Sequence, residues 1–150
     1  MSLAIVFPGQ GSQSVGMMQG FADLPIVQKT FLEANAILGI DLWTMARDGP
    51  IEALNQTVNT QPVMLVAGVA CWRAWQEKSG PMPSWLAGHS LGEYSALVAA
   101  GSLRFEDALP LVRFRAQAMQ EAVPEGTGGI AAILGLDEGA LADVCAGAAQ

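Results

Sequence analysis

Ala87-Gly88-His89-Ser90-Leu91-Gly92-Glu93-Tyr94 sets a serine between two glycines, each two positions away, after an apolar stretch and before a helical pattern. This G-x-S-x-G spacing is the layout of a nucleophile elbow, a sharp strand-to-helix turn that lifts a serine hydroxyl clear of its neighbours. A second reading competes. Ser90 with Glu93 three residues later also spells a capping box, in which the hydroxyl only satisfies orphan backbone donors of a helix. A cap gives no reason for Gly92 in the first helical turn, where glycine costs about 1 kcal/mol relative to alanine. The glycines favour the nucleophile.

Outward from the elbow, the chain alternates between strand and helix patterns, which predicts an α/β architecture with a parallel sheet. Trp85 to Gly88 reads as a brief strand feeding the turn, and Glu93 to Ala100 as the helix after it. Leu3 to Phe7 is a short apolar run stopped by Pro8-Gly9, as a buried strand would be. Pro25 to Leu38 carries Ile26, Phe31, Ala34 and Leu38 at helical spacing, with Gly39 as its stop. Gln61 to Gln76 is apolar nearly all round, so that helix is expected to be buried on most sides. Phe105 to Val123 reads as a longer amphipathic helix in which Pro110 is expected to introduce a bend. Pro124 to Gly129 reads as a linker, Ile130 to Leu134 as a new strand, and Asp137 as the cap of a helix running to Ala149. The chain shows no internal repeat and no low-complexity tract.

Composition narrows the function classes. With 150 residues, 51% hydrophobic and 14% charged, the chain is more apolar than a typical soluble domain, which is about 25% charged. Part of its surface is expected to meet a partner. Its net charge of −7 argues against binding nucleic acid by phosphate neutralisation. Cys71 and Cys145 lie on separate apolar segments without neighbouring ligands, so neither a disulfide framework nor a zinc site is expected. No basic leader opens the chain, and the longest apolar run, Pro62 to Trp72, falls far short of the roughly 20 residues of a membrane span. A cytoplasmic, non-membrane protein is the expectation.

Three further features bear on chemistry. Gly9-Gln10-Gly11 after a strand invites a dinucleotide-binding reading, but Ser14 stands where that fingerprint needs glycine or alanine. His89, the one histidine, is adjacent to Ser90, and neighbours at a sharp elbow diverge, so a supporting role suits it better than that of general base. Arg115 falls within the apolar arc of its helix, beside Val112, Met119, Ala108 and Leu111, whereas Arg113 falls on the polar side near Glu106 and Gln117. An inward arginine needs an anion. The pattern leaves open whether that anion is an acidic residue of the protein or a ligand.

Gly88-His89-Ser90-Leu91-Gly92-Glu93-Tyr94-Ser95-Ala96 closely resembles the active-site segment of malonyl-CoA:acyl carrier protein transacylases and related acyltransferase domains. Phe7-Pro8-Gly9-Gln10-Gly11-Ser12-Gln13 looks like the family's N-terminal signature, and Thr60-Gln61-Pro62, Arg115 and Gln120 to Gly128 follow in the expected order. The resemblance runs from the first strand to the last residue given. It implies an α/β-hydrolase-like large subdomain over residues 1–124, incomplete here, and the beginning of an inserted ferredoxin-like small subdomain over 125–150. It implies Ser90 as nucleophile, with the catalytic histidine beyond residue 150, and an oxyanion hole formed by the backbone N–H groups of Gln10 and Leu91. For Gln10 the plainer alternative, closing a turn, stays open. It implies Arg115 as the partner of a malonyl carboxylate, with Gln61 bordering the same pocket.

The activity implied is ping-pong transfer of malonyl from malonyl-CoA to the phosphopantetheine thiol of acyl carrier protein, in fatty-acid biosynthesis. No metal or redox cofactor is implied, and the full-length protein is expected to be a monomer. Two other readings share parts of this sequence: a serine thioesterase or esterase that delivers the acyl group to water, and an inactive docking fragment.

Overall fold

Residues 2–123 and 133–148 are described by the structure, a computed structural model. Two short parallel strands, β1 (Ala4–Phe7) and β2 (Trp85–Gly88), pair in register from Ala4 opposite Trp85 to Phe7 opposite Gly88. Strands joined in parallel need a long crossover. Here it comprises a 3-10 turn (Gln19–Phe21), α1 (Pro25–Leu38), α2 (Leu42–Asp48), α3 (Ile51–Leu54) and α4 (Thr57–Glu77). After β2 come α5 (Leu91–Ala99), α6 (Phe105–Glu121) and α7 (Glu138–Ala148). The chain is thus mixed α/β with a small parallel sheet.

Helix α4 is the axis of the core. Its Val63, Leu65, Val66, Val69 and Ala70 are fully or almost fully buried against Val27, Phe31 and Ala34 of α1, Leu91 of α5, and Ala108, Leu109 and Val112 of α6. The expectation that this helix is enclosed on most sides holds, but it starts at Thr57 rather than Gln61. Pro62 therefore sits inside the helix, where its ring has no N–H for the carbonyl of Val58. That carbonyl instead accepts from Arg113 Nη1 of α6, at 2.7 Å. Placing Arg113 on the solvent-facing polar side is corrected accordingly: it is half-buried and repairs the helix that the proline interrupts.

Along α6 the buried residues are Phe105, Ala108, Leu109, Val112 and Ala116. At about 100° per residue, Arg113 and Arg115 flank this stripe about 80° to either side. Leu111 and Met119, expected within the apolar arc, are partly exposed: Leu111 lies well off the stripe's centre and Met119 beyond its last buried turn. Gly39 ends α1 in the left-handed conformation, as expected. The sequence reading passed over α2 and α3. Asp41 caps α2 by accepting from the backbone N–H of Thr44 at 3.0 Å and its hydroxyl at 2.8 Å, and the Thr44 N–H is the main reason its carboxyl is held below its usual value.

Beneath the sheet, Phe7, Trp72 and Ala96 form a smaller core with Ile5, Leu86 and Ala99. Its other face is open, with Val6 73% and Trp85 71% exposed. An apolar groove of about 510 Å³ runs beside β1, lined by Leu3, Ile5, Met17, Phe21, Cys71 and Trp75 among others. Burial pushes the Cys71 thiol up, as for a structural thiol.

The linker expected over 124–129 and residues 130–132 of the expected strand lie outside the described residues, and Ile133 and Leu134 are not in a strand. Asp137 caps α7 as expected, its Oδ1 accepting from Ala140 N at 2.9 Å. No helix of the described residues is long and apolar enough to cross a membrane.

Candidate active site

Ser90 joins β2 to α5 at φ 52° and ψ −113°, a backbone conformation that side-chain-bearing residues rarely adopt. Its hydroxyl makes no capping hydrogen bond, so the capping-box reading fails. The two glycines explain how the turn closes. A Cβ on Gly88 would lie 2.0 Å from the carbonyl carbon and oxygen of Gly92, and one on Gly92 would lie 2.1 Å from the carbonyl oxygen of Phe7. Only bare backbones can cross at that separation. The first helical turn is locked by Gly92 N donating to His89 O at 2.8 Å and Glu93 N to Ser90 O at 3.1 Å. What results is an exposed hydroxyl at the N-terminus of a helix.

The loop after β1 packs against this turn. His89 N donates to Phe7 O at 3.3 Å, and a Cβ on Gly9 would meet His89 O at 2.7 Å. His89 thus contributes backbone contacts between elbow and loop, and among the described residues its ring makes no hydrogen bond to Ser90. The backbone N–H groups of Gln10 and Leu91, one on each side of this junction, donate to no backbone carbonyl among the described residues.

Arg115 reaches the serine from α6. Its Nη2 donates to Ser90 Oγ at 3.1 Å, its Nη1 donates to Gln61 Oε1 at 2.6 Å, and its guanidinium carbon lies 5.8 Å from the centre of the Tyr94 ring. Among the described residues it pairs with no carboxylate, whereas Arg47, Arg73 and Arg104 each do. The anion left open by the sequence pattern is therefore not supplied by any described acidic residue. Gln61 is fully buried, and its Nε2 donates to Met119 Sδ at 3.2 Å and, more weakly, to Gln10 Oε1 at 3.5 Å. It reaches the site through Arg115 and Gln10, with no surface of its own to offer.

The four regions singled out in the sequence meet here: the loop at Gln10, the elbow at Ser90 and Leu91, α4 at Gln61, and α6 at Arg115. Sequence reasoning overlooked Tyr94 and Thr57. Both signals are helical spacings: Tyr94 is one turn beyond Ser90, and Thr57, which accepts from Gln10 Nε2 at 3.0 Å, is one turn before Gln61. Among the described residues no three His, Cys, Asp or Glu side chains gather as a metal-binding set.

An exposed serine on a strained elbow thus lies beside an arginine that pairs with no carboxylate among the described residues. A profile of the acyl transferase domain family matches residues 4–143, and the chain belongs to that family. It is 58% identical over 148 residues to the malonyl CoA-acyl carrier protein transacylase of Salmonella typhimurium, covering 98% of this chain and 48% of that protein. The protein of the same description from Escherichia coli strain K12 is 57% identical over the same span.

Among solved structures, the acyl-carrier-protein S-malonyltransferase of Burkholderia pseudomallei superimposes with a TM-score of 0.89 at 62% identity, over 99% of this chain and 48% of that one. A malonyl-transacylase in complex with its type II polyketide synthase acyl-carrier protein gives a TM-score of 0.91 at 54% identity, over 100% of this chain and 49% of that one. The chain spans about half the length of the relatives it matches.

Proposed function

We propose that the protein of which these residues are part transfers malonyl groups from malonyl-CoA to the phosphopantetheine thiol of acyl carrier protein, through an ester on Ser90. The observation that carries this reading is Arg115 Nη2 at 3.1 Å from Ser90 Oγ without a carboxylate partner among the described residues. In a malonyl-serine ester the free carboxylate lies one methylene beyond the ester carbonyl. A guanidinium beside Oγ can then take it in a planar two-point contact. A neutral acyl group would leave that arginine unpaired.

The reaction proceeds in two halves. Ser90 Oγ attacks the thioester carbonyl while a histidine beyond residue 150, implied by the family, takes the hydroxyl proton. The tetrahedral oxyanion is received by the N–H groups of Gln10 and Leu91. Its collapse breaks the carbon–sulfur bond, and coenzyme A leaves with the proton. The carrier-protein thiol then gives its proton to the same histidine and attacks the serine ester; the second collapse breaks the bond between the acyl carbon and Oγ, leaves malonyl on the carrier sulfur, and passes that proton to Oγ. Neither half needs a metal or redox cofactor.

Residues 1–124 form the α/β-hydrolase-like part in this reading, and 125–150 begin a ferredoxin-like subdomain; α7 burying none of its residues fits a unit that is not yet closed. We place the whole protein in the cytoplasm as a monomer. The test is incubation of the full natural chain with radiolabelled malonyl-CoA. Stable label on Ser90, discharged by phosphopantetheinylated carrier protein, is expected. Release of free malonate, or no label, overturns the proposal.

A further inference from the structure

The loop that carries Gln10 has no regular structure, and its Gly9 and Gly11 give it freedom that an oxyanion donor cannot use. Donors that stabilise a developing charge work when fixed before the charge appears. Two glutamine side chains fix this loop from outside. Gln10 Nε2 donates to Thr57 Oγ1 at 3.0 Å, and Gln13 Nε2 donates to Asn55 Oδ1 at 2.8 Å, while Gln13 Oε1 turns back to accept from Gly11 N at 2.8 Å. Both outside partners lie at the α3–α4 junction.

That junction is itself rigid. Buried Thr60 donates its hydroxyl to the carbonyls of Leu54 and Gln56 at 2.5 and 3.0 Å, and Asn59 Nδ2 donates to Ala53 O at 3.0 Å. Leu54 is fully buried, and Arg113 holds Val58 O from α6. We infer that Asn55 and Thr57 are positioning residues, which aim the Gln10 backbone N–H at the oxyanion by holding the side chains of Gln13 and Gln10. The inference rests on the serine-transfer reading and adds to it two residues that touch no reacting atom.

The oxyanion forms at the thioester carbonyl whatever the acyl chain carries. Loosening the brace must therefore slow malonyl and acetyl transfer alike, unlike the loss of Arg115. The experiment compares Thr57→Val, Thr57→Ser, Asn55→Ala and the Asn55→Ala/Thr57→Val double variant with the unaltered full natural chain. In the double variant, kcat for both acyl groups should fall together by roughly ten- to a hundredfold, the scale set by small misplacement of a catalytic group. The KM for malonyl-CoA should change little. Ser90 should still label completely but slowly, and Thr57→Ser should recover most of the rate lost in Thr57→Val.

Wild-type kcat in the double variant would overturn the inference. So would a loss confined to malonyl transfer, or equal losses in Thr57→Ser and Thr57→Val. Absence of label on the unaltered protein would instead overturn the serine-transfer reading, so the two failures are told apart.

Discussion

The Ser90 hydroxyl caps no helix and accepts one hydrogen bond, from Arg115. The residue's backbone takes a strained conformation and its side chain leaves the helix uncapped, so the oxygen adds little to the stability of α5. Replacing Ser90 with alanine should therefore abolish the acyl-enzyme while leaving the melting temperature within a degree or two of the wild type. Mass spectrometry of the malonyl-CoA-treated variant, beside a thermal melt, checks both halves. A mutant that still labels would reassign the nucleophile. Arg113 makes the opposite case two residues from Arg115. Its bond to Val58 O replaces the N–H that Pro62 lacks, and truncation leaves a carbonyl inside the helix without that charged donor. Arg113→Ala should cost about 1.5–3 kcal/mol of stability, read by denaturant unfolding, and should not alter the preference between malonyl and acetyl groups. A stability loss below about 0.5 kcal/mol, the ordinary surface range, would make the contact incidental.

At the scale of elements, what the sequence discloses follows from the range of the forces involved. The span of β2 and the stop of α1 are local matters of apolar runs and a glycine, and both agree with expectation residue for residue. The elbow is equally legible, because Gly88 and Gly92 are demanded by backbone contacts within the motif and with β1. The start of α4 was not legible. Proline usually signals a helix N-terminus, and the donor that takes up the freed carbonyl of Val58 comes from Arg113, more than fifty residues away. The two arginines of α6 could not be sorted by a helical wheel for a related reason: they flank the buried stripe about equally, and which ligand each finds depends on the helices packed to either side. Arg115 drew notice by its place beside the apolar arc, its contacts with Ser90 and Gln61 come from the packing of α6 on α4 and α5, and the contacts of Thr57 and Asn55 emerge only when the β1 loop is seen lying across the α3–α4 junction.

Taken whole, the molecule leaves apolar surface uncovered where a parallel sheet is ordinarily buried on both faces. Val6 and Trp85 stand in the open, and the groove beside β1 adds Leu3, Ile5, Met17 and Phe21. Residues 1–150 produced alone should consequently self-associate and show little transfer activity. Sedimentation velocity across a concentration series together with an assay for malonyl transfer measures this, and a monomer at high concentration with normal activity would contradict it. In the proposed reaction four separate segments hold one carboxylated acyl group on Ser90, and Arg115 is the residue on which the choice of that group turns. In the full natural chain, Arg115→Ala removes the partner of the malonyl carboxylate, and a charge left desolvated and unpaired should cost about 2–5 kcal/mol in transition-state binding. An acetyl group has no such charge to lose. The decisive quantity is the ratio of kcat/KM for malonyl-CoA to that for acetyl-CoA, measured in the wild type and in Arg115→Ala. A fall of at least about thirtyfold in that ratio is expected, with acetyl transfer little changed. Equal losses for both acyl groups would contradict it and make Arg115 a structural residue.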